Sequence, residues 1–146
     1  MPETIFVDTN VLVYARDTSE ADKQARASAW MTHLWRGRAG RLSIQVLHEF
    51  YVTVTQKLRP GLDREIARDE VRDLLTWRPL PLDRALTEGA WGVQDRHGLS
   101  WWDSLIVSAA QIAGCRYLLT EDLGDKQRYD DLVVVNPFRH DPGSLA

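Results

Sequence analysis

The chain has 146 residues, 44% hydrophobic and 27% charged, with a formal net charge of −3 and a pI near 5.8. These values exclude chain-long disorder, collagen-like repeats and low complexity, and no apolar run approaches the ~18–20 residues of a membrane span. The charge lacks the basic excess of a duplex-DNA binder, and a single cysteine, Cys115, rules out a disulfide framework. One domain over residues 1–146 is expected. The opening Met1-Pro2-Glu3-Thr4 has neither the basic stretch nor the long apolar core of a signal peptide, so a cytoplasmic location is expected.

Short β-rich runs alternate with longer helical patterns. Ile5-Phe6-Val7 reads as a strand, and Thr9 to Ala15 as a helix opening on a polar cap. Ala21 to Trp35 has Ala25, Ala29, Met31, Leu34 and Trp35 near helical spacing, with Gly37 as the stop. Leu42-Ser43-Ile44 reads as a second strand. A helix over Gln45–Leu58 follows, with Val46, Leu47, Phe50 and Val54 on one side and Pro60-Gly61 as its break. Asp63 to Leu75 is a polar, Arg-rich helix. Leu80-Pro81-Leu82 is extended, and Asp83 to His97 is helical with Leu86, Ala90 and Val93 inward. Ser100 to Ala113 is the clearest helix, its face formed by Trp102, Leu105, Ile106, Ala109 and Ala113 before Gly114. Tyr117-Leu118-Leu119 and Leu132-Val133-Val134-Val135 are continuous apolar strands, the mark of burial on both faces. The alternation predicts a three-layer α/β/α domain with a mostly parallel central sheet.

The sequence carries no G-x-G-x-x-G, Walker A loop, G-x-S-x-G elbow or zinc-protease helix. Cys115 follows Gly114 before an apolar strand and reads as a buried structural thiol. Four carboxylates stand out instead. Asp8 follows the first strand, Glu49 lies in the helix after the second, Asp103 is in the first turn of the Ser100 helix, and Asp122 follows the strand Tyr117-Leu118-Leu119. Sites in open α/β sheets form outside the carboxyl ends of the strands, where Asp8 and Asp122 belong. Clustered carboxylates need a cation, and hard oxygen ligands suit Mg²⁺ or Mn²⁺. Each acid also has a plainer reading: Asp8 as a helix cap, Glu49 as a solvated charge, Asp103 as the partner of Ser100 in a capping box, Asp122 as a turn residue.

The segments FVDTNVLVYA at 6–15, HEFY at 48–51, WWDSLIVSAA at 101–110, LLTEDL at 118–123 and VVNPF at 134–138 resemble the motifs of PIN-domain ribonucleases, including VapC-type toxins of toxin–antitoxin pairs. The resemblance runs from Ile5 to Phe138. It implies a PIN-like fold and an Mg²⁺- or Mn²⁺-dependent endoribonuclease in which Asp8, Glu49, Asp103 and Asp122 are catalytic metal ligands. It also matches Thr9 and Asn10 to polar residues beside the first acid, expected to orient it or touch phosphate, and Thr120 to the hydroxyl before the fourth, and it implies that all three are substrate contacts. RNA substrate, a VapB-like antitoxin and a homodimer are its implied partners. Glu121 and Asp125, beside Asp122, stay open as alternative ligands.

Arg36, Arg38 and Arg41 cluster around Gly37 and Gly40, and read either as a grip on RNA phosphates, with Arg38 as a substrate contact, or as a solvated turn. Arg64, Arg68 and Arg72, each followed by or near an acid, read as a salt-bridged solvent face. Trp102 is expected to pack in the core or a dimer, and Trp30, Trp35, Trp77 and Trp91 to pack. Three functions remain in view: a toxin-type ribonuclease, a stand-alone nuclease of the same fold, and a non-catalytic RNA- or protein-binding module.

Overall fold

The structure, a computed structural model, describes residues 3–145. Met1, Pro2 and Ala146 lie outside the described residues, and with them the start of the Met1-Pro2-Glu3-Thr4 reading and both ends of the 1–146 expectation. Five strands form one sheet in the order β2-β1-β3-β5-β4. They are β1 (Ile5–Val7), β2 (Gly40–Arg41), β3 (Tyr117–Leu119), β4 (Arg128–Tyr129) and β5 (Leu132–Val135). Every pairing is parallel except β4 with β5. The apolar runs of β1, β3 and β5 are buried almost throughout, as strands covered on both faces must be.

Six α-helices flank the sheet: α1 (Thr9–Tyr14), α2 (Ala21–Gly37), α3 (Ile44–Val52), α4 (Arg64–Leu75), α5 (Arg84–His97) and α6 (Trp101–Ile112). Their caps follow the sequence chemistry. Asp8, Ser43, Asp83 and Ser100 each accept a first-turn N–H at the start of α1, α3, α5 and α6. Gly98 and Gly114 follow α5 and α6 with φ of 66° and 71°, which glycine adopts without strain. After α3 the chain widens into a π-helical turn, Thr53–Lys57. None of the helices among the described residues is long and apolar enough to cross a membrane.

Several expectations need correction. The second strand is Gly40–Arg41, two residues earlier than Leu42-Ser43-Ile44, because the Ser43 hydroxyl starts α3 by accepting from Val46 N–H. In α2 the buried face is Ala27, Trp30 and Leu34, whereas Ala25 and Ala29 are exposed and Trp35 is 42% exposed. The indole N–H of the fully buried Trp30 donates to the carbonyls of Pro137 and His140 and ties α2 to the C-terminal segment, so burying it satisfies the ring's one polar group. Gly37 is the last residue of α2, and Arg38 takes the left-handed position beyond it, with φ 52°. Trp91 and Trp102 are exposed as well, at 53% and 63%, so Trp102 lies outside the core of this chain and only the dimer alternative of its reading stands. Strand β4 escaped the sequence: it is two residues long and turns back on β5 through Asp130-Asp131. The Arg-rich face of α4 is salt-bridged only in part: Arg72 meets Asp69, whereas the Arg68 guanidinium donates to the Tyr51 hydroxyl and Arg64 has no ion pair among the described residues.

Candidate active site

Because β1 and β3 are parallel neighbours, the residues that follow them emerge at the same edge of the sheet. Asp8 follows β1, and Thr120 and Asp122 follow β3. Asp8 is almost fully buried, at 6% exposure, and one oxygen is used as the cap of α1, accepting from Thr9 N–H at 2.7 Å. Its other oxygen accepts from the Thr120 hydroxyl at 2.9 Å. The functional and capping readings of Asp8 therefore describe two oxygens of one carboxylate.

Asn10, in the first turn of α1, points its amide nitrogen at the space between the strand ends. That nitrogen lies 3.5 Å from Asp8 Oδ2, 2.9 Å from Asp122 Oδ2 and 3.1 Å from Thr120 Oγ1. Thr120 also accepts from Asp122 N–H at 3.1 Å, which turns the chain after β3 back over the site. Glu49 arrives from α3. It accepts from the Thr9 hydroxyl at 3.0 Å and from Gln45, four residues earlier on the same helix face, at 2.8 Å. Asp8, Glu49 and Asp122 are thus joined through Thr9, Asn10 and Thr120.

Asp103 stands apart in this network. The N–H of Asp103 caps onto the Ser100 hydroxyl at 3.1 Å, which is one half of the expected capping box. Its carboxylate has no hydrogen bond to the other three acids among the described residues. Its charge, after burial, helps to raise the Tyr129 hydroxyl above the usual phenol range. Arg38 lies at the other end of the sheet. Ala39 O accepts from Ile5 N–H and Gly40 pairs with Ile5, so Arg38 neighbours the start of β1 while Asp8 follows its end.

Burial pushes Asp8 up to about 7 from the ordinary 3.8. The Thr120 and Thr9 donors pull against that rise, and the Asp122 and Glu49 charges add to it. Repulsion among the acids is therefore real but secondary to desolvation. The two neighbouring acids left open by the sequence are engaged elsewhere. Glu121 meets Lys23 at 3.0 Å, and Lys23 lies over the rings of Tyr14 and Phe138. Asp125 accepts from Asn136 N–H and lies 2.7 Å from His140 Nε2; burial opposes ionisation there, but these donors hold the carboxyl below its usual range. Lys23, which braces the residue next to Asp122, was missed in the sequence, where 98 residues separate it from Glu121. Gln45 was also missed, although its i, i+4 spacing from Glu49 is a legible signal. Cys115 is buried, and burial raises its thiol to about 11, which fits a structural role.

Among the described residues no group of three or more His, Cys, Asp or Glu side chains stands arranged to hold a metal ion. The donor set itself still suits a hard cation. It is all oxygen, its buried Asp8 resists ionisation while no cation is there, and it includes Asn10 Oδ1, which is buried without a partner. The amide nitrogen of Asn10 lies between Asp8 and Asp122, where a positive group is favoured.

A mostly parallel α/β sheet with convergent carboxylates at one carboxyl edge defines a class of acidic-site folds. The profile of one such family, the PIN domain, matches residues 5–130, and the chain belongs to that family. No curated protein matches the chain in sequence. Solved structures share its fold, two of which show the likeness. One is a toxin–antitoxin complex from Klebsiella pneumoniae, 17% identical, with a TM-score of 0.65 over 92% of this chain and 98% of that one. The other is Mycobacterium tuberculosis VapC20, a sarcin–ricin loop cleaving toxin, 19% identical, with a TM-score of 0.58 over 79% of this chain and 87% of that one.

Proposed function

We propose that the chain is a metal-dependent endoribonuclease and the toxin of a VapBC-type pair, acting in the cytoplasm as a single-domain homodimer. The observation that carries this reading is the joining of Asp8, Glu49 and Asp122 through Thr9, Asn10 and Thr120 at one sheet edge. Membership of the PIN family supports the nuclease, and the cleavage of the sarcin–ricin loop by the VapC20 toxin supports RNA as the substrate. The Klebsiella complex supports an antitoxin partner.

In this reading Asp8, Glu49 and Asp122 hold the cation, with Asp103 as a fourth ligand from α6. Bound Mg²⁺ or Mn²⁺ supplies Lewis acidity toward a phosphodiester and a water of lowered pKa. The protein's own groups do the positioning. Thr9 and Gln45 fix the Glu49 carboxylate, and the Thr120 hydroxyl orients the second oxygen of Asp8. Asn10 bridges the two strand ends and offers an amide to a phosphate oxygen. Asp8 must lose its proton to ligate a cation, so metal uptake is accompanied by proton release. Purified protein should cleave RNA with Mn²⁺ or Mg²⁺ and lose cleavage in chelator. Cleavage that persists undiminished in chelator, with contaminating nuclease excluded, removes the metal-dependent reading.

A further inference from the structure

The opposite edge of the sheet carries a second feature of different chemistry. A cavity of about 680 Å³ opens beside β2, where Trp35 from the end of α2 and Trp77 from the end of α4 meet with ring centroids 5.0 Å apart. Arg38, Arg41 and Arg78 line it, and no Asp or Glu does among the described residues. None of the three arginines has an ion-pair partner among the described residues, in a chain whose net charge is −3. Three guanidiniums gathered around one cavity repel one another until an anion joins them.

Their placement is built in. Arg38, directly after α2, and Arg78, three residues beyond the end of α4, both hold left-handed backbone, with φ of 52° and 56°. The Arg41 side chain folds back to donate to the carbonyls of Arg38 and Gly40 at 3.2 and 2.8 Å, which fixes its guanidinium at the cavity wall. Trp77 packs so closely on Gly40 that a Cβ there would lie 2.3 Å from the ring. That contact anchors one indole and leaves Trp35, 42% exposed, as the free ring.

We propose that this cavity binds single-stranded RNA, with a phosphate held among Arg38, Arg41 and Arg78 and a base stacked on Trp35. The ligand class rests on the ribonuclease reading above; the site itself is separate from the acidic edge. Arginine forks match phosphate oxygens in pairs, and an aromatic ring beside them offers a stacking platform for any base. An acidic peptide would use the charges but leave the exposed indole without a partner, so RNA fits better. From Ile5, beside Gly40, to Asp8 the strand rises about 10 Å, so the arginine cavity acts as an anchoring site for RNA outside the cleavage centre.

The test is fluorescence anisotropy of a labelled 12-nucleotide single-stranded RNA in chelator, over a range of salt. It compares the wild type, Trp35→Leu and a double variant, Arg38→Gly with Arg78→Gly, whose left-handed positions accept glycine. The double variant should bind at least tenfold more weakly, and its slope of log K against log salt should flatten by about 0.7, the value for loss of one phosphate contact on a single strand. Trp35→Leu should weaken binding several-fold with the slope unchanged. Equal affinity and slope in the double variant overturns the proposal, as does absence of RNA binding by the wild type. Tighter binding of a poly-glutamate peptide than of the RNA overturns it in favour of a protein partner. The two readings fail separately. RNA bound through the arginines but never cut with Mn²⁺ sinks the nuclease and leaves this site standing; RNA cut normally while the double variant binds like the wild type does the reverse.

Discussion

The two edges of the central sheet carry opposite charge in opposite states of satisfaction. At the carboxyl edge, Asp8, Glu49 and Asp122 are each held by protein donors from Thr9, Asn10, Gln45 and Thr120. At the other edge, Arg38, Arg41 and Arg78 line a cavity to which, among the described residues, no carboxylate contributes. The contrast teaches how a parallel sheet sorts chemistry. Residues that follow strands converge at one edge and can be locked into a network by the helices that begin there. Residues that precede strands, such as Arg38 before β2, are delivered to the other edge, and what they touch depends on the helix ends that close over it.

The largest expected effect belongs to the acidic edge. Asp122→Asn should lower RNA cleavage by two or more orders of magnitude, since it removes a charge from the cation's place, while binding of RNA in chelator stays as in the wild type. An Asp122→Asn protein that loses RNA binding and cleavage in proportion would mean that the two edges do not divide the labour as described.

Asp103 sharpens the same comparison, because the structure gives its carboxylate no bond to the other acids. As a fourth ligand it should cost at least a hundredfold in turnover when changed to Asn, with stability altered by no more than about 1 kcal/mol for a first-turn acid. Full turnover in Asp103→Asn reduces the centre to three acids and leaves Asp103 as a helix-start charge.

The pH dependence of the metal-free protein follows from Asp8. Its folded-state value is raised from 3.8 to about 7, so across that interval the unfolded chain ionises while the folded one keeps its proton. The unfolded state then binds fewer protons, and stability contributed by the neutral Asp8 declines as pH rises from about 4 to about 7. Thermal midpoints in chelator should fall over that window in the wild type, and the fall should shrink in Asp8→Asn, where nothing titrates and the Asn still caps α1. Parallel curves for the two proteins would show that Asp8 ionises normally. The smallest effect is expected at Arg64, which is exposed on α4 and does not line the arginine cavity: Arg64→Ala should leave turnover and RNA affinity within twofold of the wild type. A large loss in either assay would draw α4 into the RNA path.

Much of the acidic edge was legible because its signals are local. A short apolar strand ending in Asp, a Ser cap three residues before Asp103 and a hydroxyl before Asp122 each define a position relative to the sheet without knowledge of distant residues. The bonds that join these positions were not legible, since Asn10 meets Thr120 and Asp122 across more than a hundred residues of sequence. The fold was misread where apolarity outran geometry. Trp35 and Trp102 are apolar at helical spacing yet exposed, because α2 turns Ala27, Trp30 and Leu34 inward and α6 turns Leu105, Ile106 and Ala109 inward. Strand β4 has two residues and too little pattern to announce itself. Arg38 was read as a phosphate contact from its place in the Arg36–Arg41 cluster; which edge of the sheet it occupies was not legible, and the direction of β2 puts it at the edge away from Asp8.

The central claim is that the carboxylates at the carboxyl edge hold a divalent cation that the ribonuclease needs. Titration calorimetry of Mn²⁺ into wild-type and Asp8→Asn protein, in two buffers of different ionisation enthalpy at pH 6.5 or thereabouts, tests it most directly. The account predicts that the wild type binds Mn²⁺ with release of a proton, and that Asp8→Asn binds at least tenfold more weakly with that proton release lost. Equal affinity and equal proton release in the two proteins would contradict it.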